Sequence, residues 1–156
     1  MRATVIAVGS RQPRWVDEAY ADYAKRLRTA LPLSLVEVQS AARGKAPNAD
    51  RARAIEARDI LAASQGRGHL VALDERGRLR STRELAQWLD KRRHMGGDLC
   101  FVIGGPDGLD PSVLGESGEQ WSLSPLTLPH GLVRVMLVEQ LYRASSLLAG
   151  HPYHRE

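Results

Sequence analysis

Residues 99–108 read Leu-Cys-Phe-Val-Ile-Gly-Gly-Pro-Asp-Gly. Five consecutive apolar residues run straight into a turn of glycines, a proline and an aspartate. A short apolar run closed by turn residues is the pattern of a strand covered on both faces; a strand with one wet face would alternate instead. Glycine at 104, 105 and 108 permits positive φ and lets a ligand touch the backbone, while Pro106 stiffens the turn. On this stretch alone, a purely structural turn is an equal reading. The spacing is not G-x-G-x-x-G, and no Gly-Lys-Ser/Thr follows, so neither a dinucleotide fingerprint nor a P-loop is present.

Working outward, residues 3–8, 33–38 and 69–73 are mainly apolar and predict three more strands, the first of them buried. Between them lie helical patterns. Residues 13–31 place Trp15, Val16, Ala19, Tyr20, Tyr23 and Leu27 on one face. Asn48 or Asp50 can cap a helix reaching about Ser64. Ser81 and Glu84 have capping-box spacing, opening a helix to about Arg93 with Leu85, Trp88 and Leu89 inward, and Gly96-Gly97 ends it. Residues 40–47 and 74–80 read as basic loops. Beyond Gly108 the pattern predicts a short helix over 111–119, then a short strand or extended loop within 121–128. A long helix follows over 129–149, with Val133, Met136, Leu137, Gln140, Leu141, Ala144, Leu147 and Leu148 at helical spacing and Gly150 as its stop. This alternation predicts an α/β fold in one domain: a mainly parallel sheet with helices on both faces. Ligands of such sheets bind beyond the carboxyl ends of strands. That places 73–74, 104–108 and 121–128 together.

A chain of 156 residues buries roughly 70% of its unfolded surface and needs no metal or disulfide to hold it. The single cysteine, Cys100, excludes an intramolecular disulfide and reads as a small buried hydrophobe in a reducing compartment. Residues 1–8 do not resemble a secretory signal, and Arg134, Glu139 and Arg143 interrupt the longest apolar stretch, so a soluble cytoplasmic protein is expected. The net charge is +4, but it is unevenly spread: residues 1–98 carry 19 Lys and Arg against 12 Asp and Glu, and residues 99–156 carry 3 against 6. Nineteen of the 22 bases are arginine, whose planar fork suits phosphate and whose flat face stacks on bases. A polyanion-binding surface joined to an apolar pocket is one reading; the composition of a GC-rich genome is another.

Three further features bear on chemistry. Ser122-Leu-Ser-Pro-Leu-Thr-Leu-Pro-His130 alternates small polar and apolar residues. As an extended segment it could hydrogen-bond the edge of an adenine and cover its face, or simply connect into the last helix. The tail, His151-Pro-Tyr-His-Arg-Glu156, is too rich in rings and charge for a plain terminus, and such groups can hold an unstacked nucleotide. No histidine pair has metal-ligand spacing on a helix, so no metal is expected. Glu139 and Arg143 stand one turn apart, as an ordinary ion pair does. Their helix is apolar nearly all round and predicts self-association.

Ile103-Gly-Gly-Pro-Asp-Gly-Leu109, Leu126-Thr-Leu-Pro-His130, Arg134, Glu139-Gln-Leu-Tyr-Arg-Ala144 and His151-Pro-Tyr-His-Arg155, in this order and spacing, resemble the RlmH family over the whole chain. That family methylates N3 of a pseudouridine in the 23S RNA of the large ribosomal subunit. The resemblance implies a single SPOUT-type domain over residues 1–156, with a trefoil α/β knot near its C-terminus. It also implies a homodimer and S-adenosylmethionine as cofactor. The cofactor residues it implies are Leu73, Gly104, Leu123, Ser124, Pro125, Leu126, Thr127 and Leu128, where Pro125 has no N–H to offer. Candidates to touch the reacting base are His130, Glu139, Arg143, His151, Tyr153, His154 and Arg155. The expected substrate is RNA in the large subunit or the assembled ribosome. The rival readings are a non-catalytic ribosome-binding module and a small-molecule nucleotide enzyme.

Overall fold

The computed structural model describes residues 1–41 and 48–154, the last by its backbone alone. The described residues form five parallel strands in the order β2-β1-β4-β3-β5: β1 (Ala3–Val8), β2 (Leu33–Val38), β3 (His69–Leu79), β4 (Leu99–Ile103) and β5 (Glu119–Ser122). Five helices connect and follow them: α1 (Arg14–Leu27), α2 (Ala49–Ser64), α3 (Thr82–Met95), α4 (Pro111–Glu116) and α5 (His130–Leu148), with a 3₁₀ turn at Pro152–His154. The mainly parallel α/β sheet is as expected.

Strand pleating divides the core in two, because successive side chains point to opposite faces. Val5, Ala7, Phe101 and Ile103 pack with Tyr20, Leu89, Leu137 and Leu141 from α1, α3 and α5. Ile6, Val8, Cys100 and Val102 pack with Ile60 of α2 and Val113 of α4. Every residue of β1 and β4 is buried, which is why β4 reads as an unbroken apolar run and β1 as one interrupted only by Thr4. Cys100 lies in the sheet's interior as a free thiol, and burial pushes its pKa up to about 11 against the opposing charge of Arg67.

The local signals act where they were read. Asn48 Oδ1 accepts from the N–H of Arg51 at 2.9 Å. Ser81 and Glu84 form a reciprocal capping box, and Gly96, Gly97 and Gly150 have φ of 77°, 88° and 67° beyond their helices.

Three expectations change. The predicted basic loop at 74–80 is mostly strand: β3 runs on to Leu79, with a register shift between Leu73 and Arg78 against β5. Polar side chains are tolerated there because this half of β3 pairs only with the edge strand β5 and faces water. Gly77 lies flat on β5, where a Cβ would sit 2.5 Å from the carbonyl carbon of Trp121. The short helix stops at Glu116, and Glu119 opens β5 instead. Gly118 allows that entry, since a Cβ there would meet the His69 ring at 2.4 Å. Trp15 is 54% exposed rather than inward. It lies about 100° around α1 from the buried Val16. Finally, of the loop read at 40–47, residues 42–47 lie outside the described residues.

Candidate functional site

Register alone gathers the site. Leu73 of β3 pairs with Ile103 of β4 on one side and Trp121 of β5 on the other. The residues that follow, Asp74, Gly104 and Ser122, therefore lie side by side, Gly104 leaving the sheet while Asp74 and Ser122 are still strand. Between them opens a cavity of about 800 Å³, within the range of nucleoside-sized sites. It is lined by Leu73, Gly104 and 122–124, with 126–130 also in the wall. Of the eight cofactor residues implied by the resemblance, seven line it; Pro125 is exposed and lies outside the lining.

The glycine turn has a backbone reason for its composition. Gly108 N–H donates to Gly105 O at 3.0 Å, closing the loop on itself. A Cβ at Gly104 would lie 2.9 Å from the carbonyl of Gly108, and Gly108 has φ 80°. Arg53 of α2 pins the turn from outside by donating to Asp107 O at 3.2 Å.

The facing wall is the segment before α5. Ser122 Oγ donates to Ser124 O at 2.9 Å, and Leu126 N–H donates to Ser124 Oγ at 2.9 Å. No backbone–backbone hydrogen bond among the described residues uses the N–H or C=O of Thr127 or Leu128. Free amide and carbonyl groups beside Leu73, Leu126 and Leu128 suit a flat heterocycle with donor and acceptor edges. The residues present therefore fit an adenosyl group.

At the cavity's far end stands His130, the first residue of α5. Its Nε2 lies 3.3 Å from Gln12 Nε2. Burial first, then the charge of Arg134, holds its pKa below the ordinary imidazole value, against a smaller pull upward from Glu56. Arg134, one turn along, is 1% exposed. Its Nη1 donates to Glu37 Oε2 at 2.8 Å, and its Nη2 donates to the carbonyls of Val8 and Gly9 at the end of β1. A charged residue set among apolar positions of α5 is the signal visible in sequence; its partners on β2 and at the end of β1 are not.

The remaining acceptor-site candidates do not join His130. Glu139 and Arg143 lie nine and thirteen residues along α5, roughly 14 and 20 Å by helical rise. There Arg143 donates from Nε and Nη2 to Glu139 Oε1 at 2.9 and 2.7 Å. The tail folds back onto them. The Tyr153 ring sits edge-on to Tyr142 at 4.6 Å, its hydroxyl 3.3 Å from Glu139 Oε1, and its face lies 5.1 Å from Arg143 Cζ. Tyr153 N–H donates to His151 Nδ1 at 3.3 Å. The side chain of His154 and all of Arg155 lie outside the described residues. Among those residues, no group of three His, Cys, Asp or Glu is placed to hold a metal ion, and no helix is long and apolar enough to cross a membrane.

A family model described as "Predicted SPOUT methyltransferase" matches residues 1–154. The "Ribosomal RNA large subunit methyltransferase H" of Stenotrophomonas maltophilia (strain K279a) is 49% identical over 155 residues, 99% of either chain. The chain belongs to the SPOUT methyltransferase family. Solved structures agree with a SPOUT fold. A probable methyltransferase from Bordetella pertussis Tohama I superposes with TM-score 0.57 at 15% identity, covering 92% of this chain and 93% of its own. TrmJ from Z. mobilis ZM4 gives 0.51 at 18%, covering 91% and 69%. At such identities the likeness concerns the fold.

Proposed function

We propose that this SPOUT chain transfers a methyl group from S-adenosylmethionine to N3 of a pseudouridine in 23S ribosomal RNA. It works in the cytoplasm on the large subunit or assembled ribosome, as a homodimer of single-domain, knotted chains. The observation that carries this reading is the split along α5: a nucleoside-sized cavity at one end and a Tyr-Arg-Glu cluster at the other. One chain keeps the two apart, whereas a two-fold pair with antiparallel α5 helices brings each tail to the partner's cavity. The relatives' name supports ribosomal RNA as substrate, and the basic 1–98 portion supports a phosphate-bearing partner.

The cofactor, when bound, supplies an electrophilic methyl group on a sulfonium. The chain's residues do the rest. The Gly104–Gly108 turn and residues 126–128 fix the nucleoside by backbone contacts, which aligns donor and acceptor. The acceptor nitrogen carries an imide proton that must leave as the new bond forms. His130 is held neutral near pH 7 and can take a proton from it, a contribution of roughly 10²–10⁴-fold. Arg143 and Arg155 oppose the negative charge developing on the base's carbonyl oxygens, and Tyr153 supplies a stacking face.

The decisive experiment incubates labelled S-adenosylmethionine with ribosomes lacking this modification and maps the labelled nucleotide. Label at a pseudouridine N3 is expected. Label at another base sinks the substrate, and ribosome binding without label turns the protein into a binding module. A second expectation concerns pH. Because the imidazole pKa is lowered, the wild-type rate falls only at pH values below the ordinary histidine pKa, about 6.5. His130→Asn is expected to slow transfer by about 10²-fold and to abolish that acidic limb. An acidic limb that survives in the variant removes His130 from this role.

A further inference from the structure

Tyr23 sits at an inward position of α1 and reads from sequence as plain core. In the structure it is only partly buried and its hydroxyl is engaged. The hydroxyl oxygens of Tyr23 and Tyr153 are 3.2 Å apart, and Tyr153 Oη is 3.3 Å from Glu139 Oε1. Each phenol has one proton, and an ionised carboxylate has none to give. The assignment that satisfies all three groups is a relay: Tyr23 O–H donates to Tyr153 Oη, and Tyr153 O–H donates to Glu139. The reverse direction would leave Glu139 without that donor and Tyr153 Oη unfilled.

The rest of the cluster holds Tyr23 in register. Its ring lies 6.2 Å from that of Tyr142, on which the tail ring rests, and Arg26 Cζ lies 5.6 and 5.8 Å from the Tyr23 and Tyr142 rings. Arg143 meanwhile binds Glu139 and faces the Tyr153 ring. Glu139 and Arg143 are paired with each other within α5, and the hydrogen bond from α1 sets Tyr153 against that pair.

We propose that Tyr23 is a positioning residue for methyl transfer: its hydroxyl aims Tyr153 at Glu139 and so fixes the tail ring that presents the base. This rests on the tail's role in the proposed function. Tyr23 touches neither cofactor nor base; it acts through Tyr153.

The test compares Tyr23→Phe, Tyr153→Phe and the double variant, in the full chain, on ribosomes lacking the modification. Phenylalanine keeps the ring packing and removes only the hydroxyl. Tyr23→Phe is expected to lower kcat/KM for ribosomes by about tenfold, the effect of one oriented hydrogen bond to a charged network. Affinity for S-adenosylmethionine, measured by calorimetry, stays unchanged. The double variant should be no slower than Tyr153→Phe alone, because the relay is already broken. Full activity in Tyr23→Phe, or a double variant that loses the product of the two single effects, overturns the inference and leaves the methyltransferase reading intact. If Tyr153→Phe is itself fully active, the relay carries nothing and this inference falls, while the stacking role of the tail ring stands. A wild-type chain that transfers no methyl group sinks the functional reading and the inference with it.

Discussion

Mixing two inactive variants of this protein is expected to restore methyl transfer. Gly104→Val places a side chain where even a Cβ would press on the Gly108 carbonyl at 2.9 Å, so the turn that lines its own cavity must shift and cofactor binding is expected to be lost. Arg143→Ala leaves the cavity whole but removes the cation that binds Glu139 and faces Tyr153; the loss in rate is about 10²–10³-fold, the usual effect of removing one charge-stabilising donor. If each site joins one chain's cavity to its partner's tail, a heterodimer has one fully intact site and one doubly damaged site. Random exchange of an equal mixture makes half the dimers mixed, so about a quarter of wild-type activity returns. A mixture no more active than its separate components places cavity and tail in the same subunit, or removes the tail from the reaction. Calorimetry on Gly104→Val confirms the cofactor defect, and its circular dichroism spectrum checks the fold.

The largest expected effect on stability lies away from the cavity, at Glu119. Its carboxylate accepts from Trp88 Nε1 at 2.7 Å, Trp121 Nε1 at 3.0 Å, Arg92 Nη2 at 3.2 Å and Arg80 Nη2 at 2.6 Å, with His69 Nε2 3.1 Å away. The indoles of Trp88 and Trp121 themselves meet edge to face at 4.5 Å. Burial alone would raise this acid's pKa. The hydrogen bonds from Trp121, Trp88 and Arg92 and the charge of Arg80 outweigh burial and hold it at about 2. Glu119→Ala leaves two half-buried guanidinium groups and two indole N–H groups without their acceptor, at a cost of about 3 kcal/mol. Glu119→Gln should lose less, because the amide oxygen still accepts. The pH dependence follows from the direction of the shift. The folded value is depressed, so the stabilisation is present above the unfolded carboxylate pKa and is lost as pH falls from about 5 toward 2. Urea midpoints for the three proteins at pH 7 and pH 3 check both statements. A Glu119→Ala midpoint equal to wild type at pH 7 would show the network to be ornamental.

How much of this could be read beforehand depends on the range of each interaction. Residues 99–108 gave strand and turn from local composition alone, because β4 is covered on both faces and its turn needs glycine at Gly104 and Gly108. Capping at Asn48 and Ser81 was equally legible, being a bond within three residues. The second half of β3 was not: Arg76 and Arg78 look like loop residues until β5 lies beside them. Trp15 failed because a loose apolar face takes in neighbours about 100° apart, and only one of Trp15 and Val16 turns to the core. For the candidate site, the three strand ends could be grouped from the parallel α/β pattern, since topology rules put them on one side. What could not be foreseen was spacing along α5. His130 and Arg143 look like members of one list in sequence, and only the helix shows that one chain holds them apart. Tyr23 escaped for the opposite reason, because its partner lies 130 residues away.

That spacing has a consequence of its own. A helix of 19 residues clamped between α1 and α3 does not stretch or bend to suit a guest, so it works as a ruler. The protein cannot draw its histidine end toward its arginine end; any bridging must be done by something whose reach matches the gauge. A second copy laid antiparallel along the same ruler is such a thing, because its own arginine end then falls beside the first chain's histidine end.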